Sequence, residues 1–298
     1  MSPELAHPLE EREMNTSAES AGAAVLEAVH LSKAYGSGDR RRTILSDVNF
    51  ALHDQEFVCV VGHSGTGKTT LLRCLTGLLA PTDGEVRFRG DRVAAPPEGL
   101  AIVFQDYSRS LLPWMSVAHN VALPLEGKGL PKSDRAVRVE RALEAVGLSA
   151  HAKKLPHELS GGMQQRVAIA RALAYQPSVL VMDEPFASVD AQTRAELEDL
   201  TLQLREEYRT SVLLVTHDVD EAVYLSDRVV VLGGSPAGVV RVEETGLGRE
   251  RDQIETKTLP RFGEVRAEIL REIRSQSAQT SPTELLQVAL GGTKAGQR

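Results

Sequence analysis

Residues 57–69 read Phe57-Val-Cys-Val-Val-Gly-His-Ser-Gly-Thr-Gly-Lys-Thr69, and this stretch decides the fold. Phe57–Val61 is apolar throughout, as expected of a strand covered on both faces. Gly62–Thr69 then fits G-x-x-x-x-G-K-[ST] in full, and a helix is expected from about Lys68 to Leu78. The chemistry needs each part. Glycines let successive backbone N–H groups curl around phosphates without Cβ clashes. The helix start after Gly67 presents unpaired N–H groups and the positive end of its dipole. Lys68 adds a point charge on the β- and γ-phosphates, and Thr69 offers a hydroxyl to Mg2+. Gly62, His63, Ser64, Gly65, Thr66, Gly67, Lys68, Thr69 and Thr70 are therefore the expected nucleotide-binding residues, with His63 filling the loop rather than ligating a metal.

Further along, Val179-Leu-Val-Met-Asp183-Glu184 puts two carboxylates at the end of a second apolar strand. The carboxyl edge of an α/β sheet is where ligands bind. Asp183 can hold a hydrated Mg2+ there, and Glu184 can act as general base or polarise the water that attacks a γ-phosphate. Two carboxylates at a strand exit are often plain solvated charges; the phosphate loop favours the catalytic reading.

The rest of the chain alternates. Strands are expected near Ala24 and over Val48–Leu52, Gly84–Phe88, Ala101–Phe104, Val212–Val215 and Val229–Leu232, with helices over 162–175, 194–208 and 219–225. Alternation of this kind gives a mostly parallel sheet with flanking helices. Between Asp106 and Glu158 the strand signal fades and Pro113, Pro124 and Pro131 divide the chain. A helix over 134–146, capped by Ser133 and ended by Gly147, marks a helical insert spanning about 106–165. Residues 1–22, rich in Glu, Ser and Ala, read as a disordered leader in which Met14 could be an alternative start. One nucleotide-binding domain is expected over 23–248, followed by a C-terminal extension over 249–298. There Phe262, Val265, Ile269 and Ile273 recur at helical spacing and predict a short docking helix.

Composition narrows the function classes. The 298 residues carry a formal net charge of −7, which argues against nonspecific nucleic-acid binding. No apolar run of about 18 residues is present, so no membrane-spanning helix is expected. The start lacks a signal-peptide pattern, which points to the cytoplasm. Cys59 and Cys74 lie in apolar stretches and read as buried thiols.

Leu159-Ser-Gly-Gly-Met-Gln-Gln-Arg166 lies between the phosphate loop and the acidic strand. With its neighbours it resembles the ATP-binding-cassette ATPases over about residues 24–245. The resemblance implies an ATPase fold with a P-loop core of mostly parallel sheet, an antiparallel β subdomain and a helical insert. It implies that Tyr35 stacks on adenine, that Gln105 contacts Mg2+ or water and senses a transporter subunit, and that Ser188-Val-Asp190 crosses a dimer interface. It makes Glu184, His217 and Lys68 the catalytic set, and Thr69, Gln105 and Asp183 the metal set. By the same resemblance Ser160, Gly161 and Gly162 serve the ATP held by a second copy of the chain. Taken by themselves, Tyr35 could be plain packing and His217 could cap the helix at Val219.

Val103-Phe-Gln-Asp-Tyr-Ser-Arg-Ser-Leu-Leu-Pro-Trp-Met-Ser-Val117 looks like the nitrate, sulfonate and taurine importers of that family. The expected cofactors are ATP and Mg2+. The expected partners are a second ATPase subunit, membrane permease subunits and an extracytoplasmic solute-binding protein, with the chain peripheral on the cytoplasmic face of the membrane. Trp114, the single tryptophan, either lines the groove that receives a permease helix or sits in the core of the insert. An exporter or lipid-extraction ATPase is the alternative, and a soluble member of the family a more distant one. Cargo is chosen by subunits absent from this chain.

Overall fold

The computed structural model describes residues 23–279; the leader, with Met14, and residues 280–298 lie outside the described residues. Its strands are β1 (Ala24–Tyr35), β2 (Arg42–His53), β3 (Phe57–Val61), β4 (Asp83–Phe88), β5 (Asp91–Arg92), β6 (Leu100–Val103), β7 (Val179–Asp183), β8 (Ser211–Val215), β9 (Arg228–Gly233) and β10 (Gly238–Glu244). Its α-helices are α1 (Lys68–Leu75), α2 (Tyr107–Ser110), α3 (Val117–Ala122), α4 (Lys132–Ala145), α5 (Gly161–Ala174), α6 (Ala191–Tyr208), α7 (Val219–Leu225), α8 (Glu255–Thr258) and α9 (Pro260–Gln279).

Two sheets form. One is four-stranded and antiparallel, in the order β2-β1-β4-β5. The other is six-stranded, in the order β10-β9-β3-β8-β7-β6, parallel except at the β10/β9 edge. Strands β3, β7 and β8 are buried at every residue. This is why their sequences run apolar without alternation. Helix α1 and the antiparallel sheet cover one side through Leu31, Val48, Leu71 and Leu75, where Cys74 is buried among them. Helix α5, the insert and α7 cover the other, where Cys59 is buried. Both sulfurs are free thiols.

Register places the edge that matters. Val60 pairs with Val215 on β8 and with Val230 on β9, while Asp183 pairs with Val215. The residues that follow β3, β7 and β8 therefore leave the sheet side by side. These are Gly62, Glu184 and the Thr216-His217 pair.

Two local expectations change, and one open alternative closes. Helix α4 starts at Lys132, one residue before Ser133, with Pro131 at its N-cap and no side-chain cap. The fixed φ of Pro131 already suits a helix entry, and Ser133 Oγ turns to Asp134 Oδ1 at 3.1 Å instead. Trp114 is not a core residue: it is 71% exposed. The extension holds a helix of 20 residues, longer than the short helix expected. Its Phe262, Val265 and Ile269 are buried in the core with α7, and Ile273 packs against the same core.

Candidate functional site

The phosphate loop bridges β3 and α1. Gly65 and Gly67 have φ of 82° and 95°, a region that side-chain-bearing residues rarely adopt. At Gly67 a Cβ would also meet Ile44 Cγ2 at 2.8 Å, because β2 passes close to the loop. Lys68 is buried. Its ammonium donates to the carbonyls of Gly62 at 2.8 Å and His63 at 3.1 Å. Burial pulls the Lys68 pKa down, opposed by the carboxylates of Glu184 and Asp183. The His63 carbonyl also accepts from the Thr66 amide and hydroxyl, at 3.2 and 2.6 Å.

Asp183 is buried at the end of β7, and its Oδ1 has no hydrogen-bond partner. Burial, and then the charge of Glu184, raise its pKa; Arg73 and Lys68 oppose that. A buried carboxylate oxygen without a donor suits a hard divalent cation that keeps waters and phosphate oxygens as its other ligands, and Thr69 in the first turn of α1 offers a hydroxyl as a further one. Among the described residues no group of three or more His, Cys, Asp or Glu could hold a metal by itself. Arg73, four residues after Thr69 on α1, was missed; the i, i+4 spacing from the loop is the signal that could have found it.

Glu184 follows in the left-handed region at φ 41°, with its amide donating to Val215 O at 2.7 Å. Its Oε2 receives the side-chain amide of Gln105 at 3.2 Å and lies 3.1 Å from His217 Nδ1. Two side chains from two different loops, Gln105 and His217, thus meet one oxygen of Glu184. His217 does not cap α7. That place belongs to Asp218, which accepts from the amides of Asp220 and Glu221 at 2.9 and 3.2 Å and pairs with Arg194 at 3.2 Å.

Ser160–Gly162 does not join this group. Ser160 caps α5, accepting from Met163 N at 3.4 Å, and stands exposed. Gly162 lies against α6, where a Cβ would meet Thr193 Cγ2 at 2.5 Å. Thr193 is in turn held by Asp190, the N-cap of α6, through its amide at 3.0 Å and hydroxyl at 2.7 Å. The Ser188–Asp190 loop and the Ser-Gly-Gly segment therefore form one surface, apart from the phosphate loop. Tyr35 ends β1, is 45% exposed, and has Lys33 Nζ 5.4 Å from its ring centroid. An exposed aromatic ring at that edge is suited to stack on a flat partner.

Arranged in this way, the loop can cradle phosphates, the buried ammonium can neutralise them, and Glu184 can orient a water. A profile of the ABC transporter family matches residues 45–187. The nitrate import ATP-binding protein NrtD of Synechococcus elongatus is 44% identical over 229 residues, covering 76% of this chain and 83% of that protein. The aliphatic sulfonates import ATP-binding protein SsuB 1 of Xanthomonas axonopodis pv. citri is 48% identical over 213 residues, covering 71% of this chain and 84% of that one. A solved dimeric post-hydrolysis state of the ATP-binding cassette MJ0796, bound to ADP and Pi, superposes with a TM-score of 0.65 at 32% identity, covering 74% of this chain and 98% of that chain.

Proposed function

The chain belongs to the ATP-binding-cassette family of ATPases, and from this premise we propose that it powers uptake of a small anion such as nitrate or a sulfonate. Its partners in that role are a second copy of itself, membrane permease subunits and an extracytoplasmic solute-binding protein. No helix among the described residues is long and apolar enough to cross a membrane. A place on the cytoplasmic face of the membrane, against the permease, fits that reading. One observation carries the catalytic assignment: Gln105 and His217 converge on the same oxygen of Glu184, at the mouth of the phosphate loop.

In the proposed reaction Glu184 orients a water and takes its proton as the water oxygen bonds to the γ-phosphorus; the bond to the β-phosphate oxygen breaks, and ADP leaves. His217 contacts the γ-phosphate. Lys68 leaves the Gly62 and His63 carbonyls for the phosphates. Asp183, Thr69 and Gln105 are the residues that would hold magnesium, which would supply positive charge to offset that of the phosphates. Tyr35 would stack on the adenine. Ser160, Gly161 and Gly162 lie at the exposed N-terminus of α5, which suits the γ-phosphate of an ATP bound by a second copy.

The import reading is tested in vesicles that hold the permease, the binding protein and this subunit. ATP-dependent accumulation of nitrate or an alkanesulfonate is expected. An assembled complex that hydrolyses ATP yet moves neither anion inward would sink the reading. The exporter alternative gains if the flanking genes encode an exporter permease and no binding protein.

A further inference from the structure

Helix α9 reaches the phosphate loop. His63 Nε2 lies 3.0 Å from the backbone carbonyl of Ile273, across 210 residues of sequence. A carbonyl can only accept, so the imidazole donates and its Nε2 carries the proton. The approach is tight on both sides. A Cβ on Gly62 would meet Leu232 O at 2.7 Å, and a Cβ on Gly233 would meet Gln276 Cγ at 2.7 Å. The end of β9 is thus clamped between the start of the loop and the last turns of α9. The helix is held at its other end by buried Phe262, Val265 and Ile269, by the Arg266–Asp220 pair, and by Glu268 bonded to Arg241 at 2.5 Å.

His63 is the hub of the loop as well. Its carbonyl accepts from Thr66 N, Thr66 Oγ1 and Lys68 Nζ, so the orientation of its peptide sets where the ammonium and the following amides point. The side chain fixes that peptide from outside, and the anchor is α9.

We propose that His63 is a positioning residue that ties the phosphate loop to docked helix α9, so that ATP affinity depends on a C-terminal element more than 200 residues away. The proposal rests on Gly62–Thr69 being the nucleotide site. It makes α9 a handle on nucleotide binding: whatever draws its last turns off β9 loosens the loop.

The test is ATP binding by titration calorimetry together with steady-state hydrolysis, on full-length protein. His63→Leu removes the donor. His63→Gln keeps an N–H. Ile273→Pro kinks the last turns of α9 beyond buried Phe262 and Val265. Loss of one net hydrogen bond predicts that His63→Leu and Ile273→Pro each weaken ATP binding and raise KM about five-fold, with kcat unchanged. His63→Gln should restore native affinity, and the His63→Leu/Ile273→Pro double variant should be no weaker than either single one. Unchanged affinity in His63→Leu, equal weakness in His63→Gln, or multiplied losses in the double variant would each overturn the proposal. If His63→Leu fails to fold, His63→Gln and Ile273→Pro decide: native binding by the proline variant rejects the tie. Native protein that bound no ATP would instead remove the nucleotide site itself.

Discussion

Gln105 donates its side-chain amide to Glu184 Oε2 at 3.2 Å, and this is the oxygen His217 Nδ1 approaches at 3.1 Å. Gln105 stands at the head of the insert, directly after β6, and Glu184 at the exit of β7. A movement of the insert therefore changes the hydrogen bonding of the carboxylate proposed as base. Glu184 also sits at φ 41°, a conformation that costs of order 1–3 kcal/mol and persists only where neighbours enforce it.

Glu184→Gln should bind ATP like the parent yet hydrolyse it at least about a hundred-fold more slowly, since the base is lost and the phosphate loop is untouched. Phosphate release and ATP calorimetry check the two halves. A near-native rate would take Glu184 out of that role.

Lys68→Ala should lose ATP affinity by more than about ten-fold, because the cation proposed to meet the β- and γ-phosphates is gone. The folded protein should survive, as the carbonyls of Gly62 and His63 can turn to water. Calorimetry beside a thermal melt separates these effects; retained affinity would contradict the assignment.

Ser160→Arg should leave ATP binding by the single subunit intact and abolish the ATP-dependent dimer, measured in Glu184→Gln protein by size exclusion. Losing the cap on α5 costs about 1 kcal/mol, so the melt should fall by a few degrees only. Dimers that still form with ATP would argue against a shared site.

Gly162→Ala places a Cβ 2.5 Å from Thr193 Cγ2, so α5 and α6 must part. Overpacking of this kind costs about 1–3 kcal/mol. Adding Thr193→Ser removes the methyl and keeps the hydroxyl that bonds Asp190, and most of the loss in thermal stability should return. A double variant as unstable as Gly162→Ala would show that the contact is not the cause.

Glu221 on α7 is buried, with Oε1 unpartnered. Burial, then the charges of Glu198 and Asp218, push its pKa from 4.5 up to about 8. The folded state keeps a proton that the unfolded chain releases, so this group's contribution is fully present below pH 4.5 and is lost as pH rises through about 8. Glu221→Gln has no such slope. The melting temperature of the variant minus that of the parent should therefore rise between pH 5 and pH 8. A difference that stays flat or falls would mean that Glu221 is ionised in the fold.

Much of the site was legible because its parts are local. Positive-φ glycines, a helix N-terminus and an apolar strand are written within Phe57–Thr69, and an apolar strand ending in two carboxylates within Val179–Glu184. Ser133 failed as a cap because the helix already begins at Lys132, with Pro131 at the N-cap. Trp114 gave no sign of exposure, since an aromatic in an apolar stretch suits a core and a groove equally. The antiparallel sheet was expected from resemblance alone; bulged strands such as β1 and β2 carry weak alternation.

The sequence by itself determined the phosphate loop, the acidic strand end and the α/β alternation, since each follows from backbone preference and hydrophobic period over a dozen residues. Tertiary structure decided which distant groups meet. The parallel register of β3, β7 and β8 set Gly62, Glu184 and His217 on one edge. The burial of Phe262, Val265 and Ile269 aimed the end of α9 at His63. Neither is encoded locally, because a contact across 210 residues depends on how whole elements pack and on no single segment's preference.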